Sequence, residues 1–215
     1  MLDHSNIFTK KEEIANAVTH GIGSLLSIAA LVLLIVYATQ IGTPLHIVSV
    51  SIFGATMLLL YVCSTLVHSF PKGKAKNLFE ILDHSSIYLF IAGTYTPFLF
   101  HVLEGTMSWT LFGIIWGLAI TGIVFKIFFV RRFRVLSTLL YILMGWIIVI
   151  AWAPLSAVVP TGGLVLLIIG GIFYTTGAFF YLWGRFPYHH AIWHLFVIAG
   201  SAAHFFAILF YVIPL

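Results

Sequence analysis

The sequence predicts an all-α fold, a seven-transmembrane helix bundle with its N-terminus cytoplasmic and its C-terminus extracytoplasmic. Three observations predict it. Of the 215 residues, 61% are hydrophobic and only 7% are charged, whereas an ordinary soluble domain is about a quarter charged. No Lys, Arg, Asp or Glu occurs between Glu13 and Lys72, nor between Arg134 and Arg185. Each of these runs exceeds the ~20 apolar residues that cross a bilayer, so each must hold two helices. With seven helices, all ten Lys and Arg residues fall on one side, which the positive-inside rule makes cytoplasmic. Six or eight helices would scatter them.

The elements follow in order. A short cytoplasmic segment, 1–16, precedes a transmembrane domain, 17–215. Helix 1 is expected over 17–39. Its apolar run is too long for a signal-peptide core and no small-residue cleavage site follows it, so it reads as a retained helix. Gly42-Thr43-Pro44 separates it from helix 2 (46–69), and Pro71-Lys72-Gly73 separates helix 2 from helix 3 (79–101). Glu104-Gly105 precedes helix 4 (108–130), and the Arg131–Arg134 cluster precedes helix 5 (135–152). The stretch from Pro154 to Gly163 leads to helix 6 (163–183), and Gly184 to Pro187 leads to helix 7 (188–212). No long strand pattern of alternating polarity is present, which argues against a barrel.

The remaining features are those of a membrane protein. The basic clusters set topology and are not a nucleic-acid patch; membrane lipid is the partner expected. Lys126 lies one turn inside helix 4 and is expected to snorkel outward. Gly21, Gly23, Gly113, Gly117, Gly170, Gly171 and Gly177 suit close helix packing in lipid. Trp109, Trp152, Trp183 and Tyr211 are placed as interfacial anchors. The single Cys63 excludes an internal disulfide. Neither composition nor pattern sets the oligomeric state.

Topology then fixes the depth of each polar residue. His68 lies about one turn from the cytoplasmic end of helix 2, Asp83 about one turn into helix 3, and His190 and His194 in the first two turns of helix 7. Three helices distant in sequence therefore deliver polar groups to one layer, where imidazoles and carboxylates are costly unless they have a function. His190 and His194 are spaced i, i+4 and share a helix face, as do Ser64 and His68. Three neutral imidazoles can fill three positions of a tetrahedral zinc ion and leave the fourth for water. The alternative is a set of histidines hydrogen-bonded to one another and to water. Asp83 is either a general base or water-holding group, or a fourth ligand that would make the site structural. Ser64 either donates to a developing oxyanion or bonds back to the carbonyl four residues earlier.

Other histidines have lesser expected roles. His20, near Asn16 and Thr19, can support a ligand from outside the coordination sphere. His84 and His189 point about 100° away from their neighbouring site residues on ideal helices. His204 lies ~15 Å beyond His194, too far to share its metal, and fits a buried polar network or water path. His46 and His101 are placed at the outer interface as solvated histidines, and His4 in the N-terminal tail.

Four segments carry a family resemblance: Glu12-Glu13-Ile14-Ala15-Asn16-Ala17-Val18-Thr19-His20-Gly21, Ser64-Thr65-Leu66-Val67-His68, Phe79-Glu80-Ile81-Leu82-Asp83-His84, and His190-Ala191-Ile192-Trp193-His194. Together they resemble the hemolysin III family, the bacterial branch of the progestin and adipoQ receptor family, over nearly the whole chain. The resemblance implies seven helices with the N-terminus inside, a zinc ion held by His68, His190 and His194, and Asp83 near the bound water. Relatives among receptors and alkaline ceramidases resemble zinc-dependent lipid amide hydrolases, in which the serine matching Ser64 is placed to assist. Three functions follow as expectations: a membrane hydrolase of lipid amides or esters, ceramidase-like or otherwise serving lipid homeostasis, with catalytic Asp83 and Ser64; a pore-forming cytolysin; and a sensor or receptor with structural zinc. Against the cytolysin stands the lack of an amphipathic segment that could pass from a soluble to an inserted state.

Overall fold

A computed structural model describes residues 8–215. His4 and residues 1–7 of the expected N-terminal segment lie outside the described residues. The chain forms helices α1 (Lys10–Ile41), α2 (Pro44–Ser69), α3 (Lys74–His101), α4 (Gly105–Phe129), α5 (Arg134–Trp146), α6 (Trp152–Val158), α7 (Thr161–Trp183) and α8 (His189–Tyr211). A 3₁₀ segment, Ile147–Ala151, joins α5 to α6 so that the two form one span. No strand occurs among the described residues. Counting α5 and α6 as one, six of the seven helical segments are long and apolar enough to cross a membrane. The other is α3, whose first turns carry Lys74, Lys76, Glu80 and Asp83. The chain is a multi-pass membrane protein.

α1 begins well before the expected start at Ala17. The Thr9 hydroxyl accepts the Glu12 N–H at 3.3 Å, and the Glu12 carboxylate accepts the Thr9 N–H at 2.8 Å. This capping box converts the polar segment into helix. As a result Glu13, Asn16 and His20, spaced three and four apart, share one helix face. Pro44 occupies the first turn of α2, where its missing N–H costs nothing.

The fifth span departs most from expectation. It continues past Pro154 to Val158 and is broken internally. Pro154 has no N–H to give the preceding turn, and it sits in the first turn of α6, where none is needed. In hydrocarbon the backbone groups freed by the break must find partners. Tyr95 of α3 supplies them: its hydroxyl accepts the Ile148 N–H at 2.9 Å and faces the Met144 and Gly145 carbonyls at 2.9 and 2.7 Å.

Sequential helices α1 to α4 pack side by side, α7 packs on α8, and α8 returns to α1. The fifth span touches α3 and α7 much more lightly. One apolar core lies among α1, α2, α3 and α8, and a second among α3, α4 and α5. Leu25, Phe128 and Ile150 are about 70% exposed on the outside, as expected for side chains facing acyl chains. The ends bearing the basic residues meet at one end of the bundle: Arg131 pairs with Glu80 at 2.7 Å, and Arg134 donates to the Leu182 carbonyl.

Several expectations are corrected. Lys126 does not snorkel; it is 1% exposed and packs near the Tyr141 ring. His46 is not a solvated interface residue. It is buried and stacks on His101 with ring centroids 3.5 Å apart, and Thr43 and Ser49 hold the pair. Gly113 and Gly117 have open space where a side chain would go, so they mediate no close packing, whereas Gly23, Gly170 and Gly177 do. Trp109 and Trp183 are well exposed, while Tyr211 packs over Gly162 and Gly163.

Candidate metal centre

The last turn of α2 and the first two turns of α8 end at the same place. There His68, His190 and His194 each present a ring nitrogen, and these atoms lie within 4.8 Å of one another. Their ring centroids are 5.0 Å (68–190), 5.4 Å (68–194) and 4.6 Å (190–194) apart. The sequence expectation that distant helices bring these three together is met. The start of α8 is set by Tyr188, whose left-handed backbone (φ 60°) turns the chain into the helix. Glu12 of α1 accepts the Tyr188 N–H at 3.1 Å. A carboxylate at a helix N-terminus both satisfies an open donor and complements the dipole.

The outer nitrogens of the rings are occupied. His68 Nδ1 lies 2.6 Å from Glu13 Oε2, and Lys76 holds the other oxygen of that carboxylate at 2.8 Å. His194 Nδ1 lies 3.1 Å from the Asn16 carbonyl and 3.0 Å from the Thr19 hydroxyl. The Thr19 hydroxyl donates to the Ala15 and Asn16 carbonyls and so accepts from the ring. Carboxylate and carbonyl oxygens only accept, so Nδ1 carries the proton in both rings and Nε2 presents a lone pair inward. His190 Nε2 is buried and has no partner among the described residues. Three ring nitrogens within 4.8 Å of one another, two of them on rings oriented by carboxylate or carbonyl acceptors, suit zinc's need for ligands and supports. The group is therefore compatible with a zinc ion.

Asp83 and Ser64 are adjacent to this group but outside it. The Ser64 hydroxyl faces the Asp83 carboxylate. Both line a cavity of about 160 Å³ together with His190 and His194. His84, about 100° round the helix from Asp83, also lines it; its Nδ1–H donates to the Glu80 carbonyl at 2.8 Å and its Nε2 faces Tyr181. His20 is buried and stacked on His194 at 3.4 Å, so it braces that ring from behind. His189 is buried and is not part of the three-nitrogen group. Beyond the polar end the cavity is apolar, running between α3, the fifth span, α7 and α8 to His204. Trp146 and Val149 line it and are also exposed on the outside of the bundle.

Sequence reasoning missed Glu13. The signal was present: an acidic residue three and seven positions before Asn16 and His20 on the face that meets the ligands. Glu13→Gln is expected to weaken zinc binding about 10- to 100-fold, the usual cost of losing an outer-sphere partner. Chelator competition on the purified protein measures it; unchanged affinity would remove Glu13 from the site.

Comparison with known proteins places these residues in context. Residues 8–205 match the family model described as haemolysin-III related. The chain is 58% identical to the Hemolysin-3 homolog of Bacillus subtilis (strain 168), covering 95% of this chain and 96% of that protein. It is also 58% identical to Hemolysin-3 of Bacillus cereus, covering 95% and 93%. Identity to the human Monocyte to macrophage differentiation factor is 31%, over 73% of this chain and 67% of that protein.

Proposed function

The chain belongs to the haemolysin-III-related family, and from that premise we propose that it is a zinc-dependent membrane hydrolase acting on a lipid amide or ester. The observation that carries this reading is the pairing of a three-imidazole cluster with a carboxylate that stands beside it and not in it. The N-terminus is cytoplasmic in this proposal, because the basic loops share one end, and the site then lies near the inner leaflet.

Zinc, when bound, supplies Lewis acidity and lowers the pKa of water to about 7. The other work falls to the protein. His68, His190 and His194 hold the ion. Asp83 accepts the proton of the attacking water, since its carboxylate faces the same cavity. Ser64 donates its one hydroxyl proton to the ionised Asp83 and orients that carboxylate; once Asp83 has taken the proton from water, the serine is free to donate to the oxygen on which charge develops. The apolar lining receives the acyl chain and excludes bulk water, and lipid enters from the side on which Trp146 and Val149 both line the cavity and are exposed.

Incubating the purified, zinc-loaded protein with ceramides and other lipid amides and esters tests the proposal through fatty-acid release. Turnover that zinc removal abolishes is the expected result. No release from any of these lipids with zinc bound would overturn it.

A further inference from the structure

We infer that the outer end of the cavity contains a second binding locus, His204, which accepts a hydrogen bond from a hydroxyl group carried partway along the acyl chain of the ligand. His204 lies ten residues beyond His194 on α8, ~15 Å along the helix axis, and lines the same cavity. It is more than nine-tenths buried. Gly170 of α7 makes room for the ring, since a side chain there would overlap its Cδ2 and Nε2. This close approach lets His204 Nε2 meet the Leu167 carbonyl at 3.3 Å. A carbonyl only accepts, so Nε2 carries the proton and Nδ1 is left as an acceptor.

That Nδ1 is buried and has no partner among the described residues. The hydroxyls around it are committed elsewhere. Tyr61 donates to Ser201 at 2.7 Å, Tyr174 meets Ser201 at 3.0 Å, and Ser201 donates to the Val197 carbonyl. Tyr174 meets the His204 ring in a T-shaped contact, centroids 5.4 Å apart, while its hydroxyl is held at Ser201. A buried acceptor left unpaired is destabilising, so its partner must come from what the cavity holds. The neighbouring lining (Phe98, Trp152, Leu155, Ile168) is apolar and gives a lone water few of the further partners it needs, which favours a donor carried on a hydrocarbon chain. Unhydroxylated chains leave Nδ1 unpaired; a mid-chain hydroxyl satisfies it. The ligand class is therefore a hydroxylated acyl chain with its head at the histidine cluster.

This rests on the cavity being an acyl site, as proposed above, but not on hydrolysis. The test uses the zinc-loaded protein in lipid nanodiscs, with free acids that carry no amide or ester bond to hydrolyse. Binding of 12-hydroxystearate and of stearate is followed through the fluorescence of Trp146 and Trp152. Wild-type protein is expected to bind the hydroxylated acid about fivefold tighter, the worth of one net hydrogen bond. His204→Phe is expected to bind both acids equally. Equal affinities in the wild-type protein, which need no variant to fold, would overturn the inference, as would a preference that survives His204→Phe. Binding of neither acid would overturn it together with the acyl-site reading. A hydroxyl preference without any zinc-dependent turnover would sink the hydrolase proposal alone.

Discussion

Replacing His194 with alanine is expected to abolish both zinc retention and lipid hydrolysis. His194 is 1% exposed and belongs to the three-nitrogen group. Alanine removes a ligand and leaves only two imidazoles, so zinc affinity should fall by more than the ~100-fold that an outer-sphere loss costs. The change also leaves the Thr19 hydroxyl without its ring partner and His20 without the ring it stacks on. Zinc content per chain, read by elemental analysis after purification, should drop from about one to near zero. Thermal stability should fall with it and become insensitive to chelator, because zinc binding no longer ties α2 to α8. Full zinc content in His194→Ala would contradict the ligand assignment.

Asp83→Asn has a different expected signature. The carboxamide keeps the shape and the contact with Ser64 but cannot take a proton from water. The expected loss is about 10²- to 10⁴-fold in kcat, equivalent to about 3–5 kcal/mol of barrier, with zinc content unchanged. The combination separates the two roles open for Asp83. A variant that keeps its zinc and loses turnover identifies a base. A variant that loses its zinc identifies a fourth ligand, and the site would then be structural.

The convergence of the site could be read from sequence because depth in a membrane follows from helix direction. His68, Asp83, His190 and His194 sit near helix ends that alternation sends to one side, and the i, i+4 spacing of the last pair survives in the folded helix. What escaped reading depends on partners far away in the chain. The break in the fifth span is held by Tyr95, 50 positions from Gly145, and no local pattern announces that hydroxyl. By local rules Pro154 ends a helix, whereas here it lies in the first turn of α6. His46 and His101 looked solvated because they flank loops, but each supplies the surface that buries the other. Lys126 reads as a snorkelling residue, but its ammonium is buried over the ring of Tyr141, a residue of α5 that no local pattern pairs with it. Glu13 lies in a polar segment by sequence, and only the Thr9 cap, which extends α1 backwards, brings it to His68.

Crystals of the zinc-loaded protein, measured on either side of the zinc absorption edge, would test the metal assignment most directly. The account predicts one anomalous peak among the Nε2 atoms of His68, His190 and His194, each at ~2.0–2.1 Å, with a water in the fourth position facing Asp83. A peak elsewhere, or a carboxylate oxygen of Asp83 closing the fourth position, would contradict it.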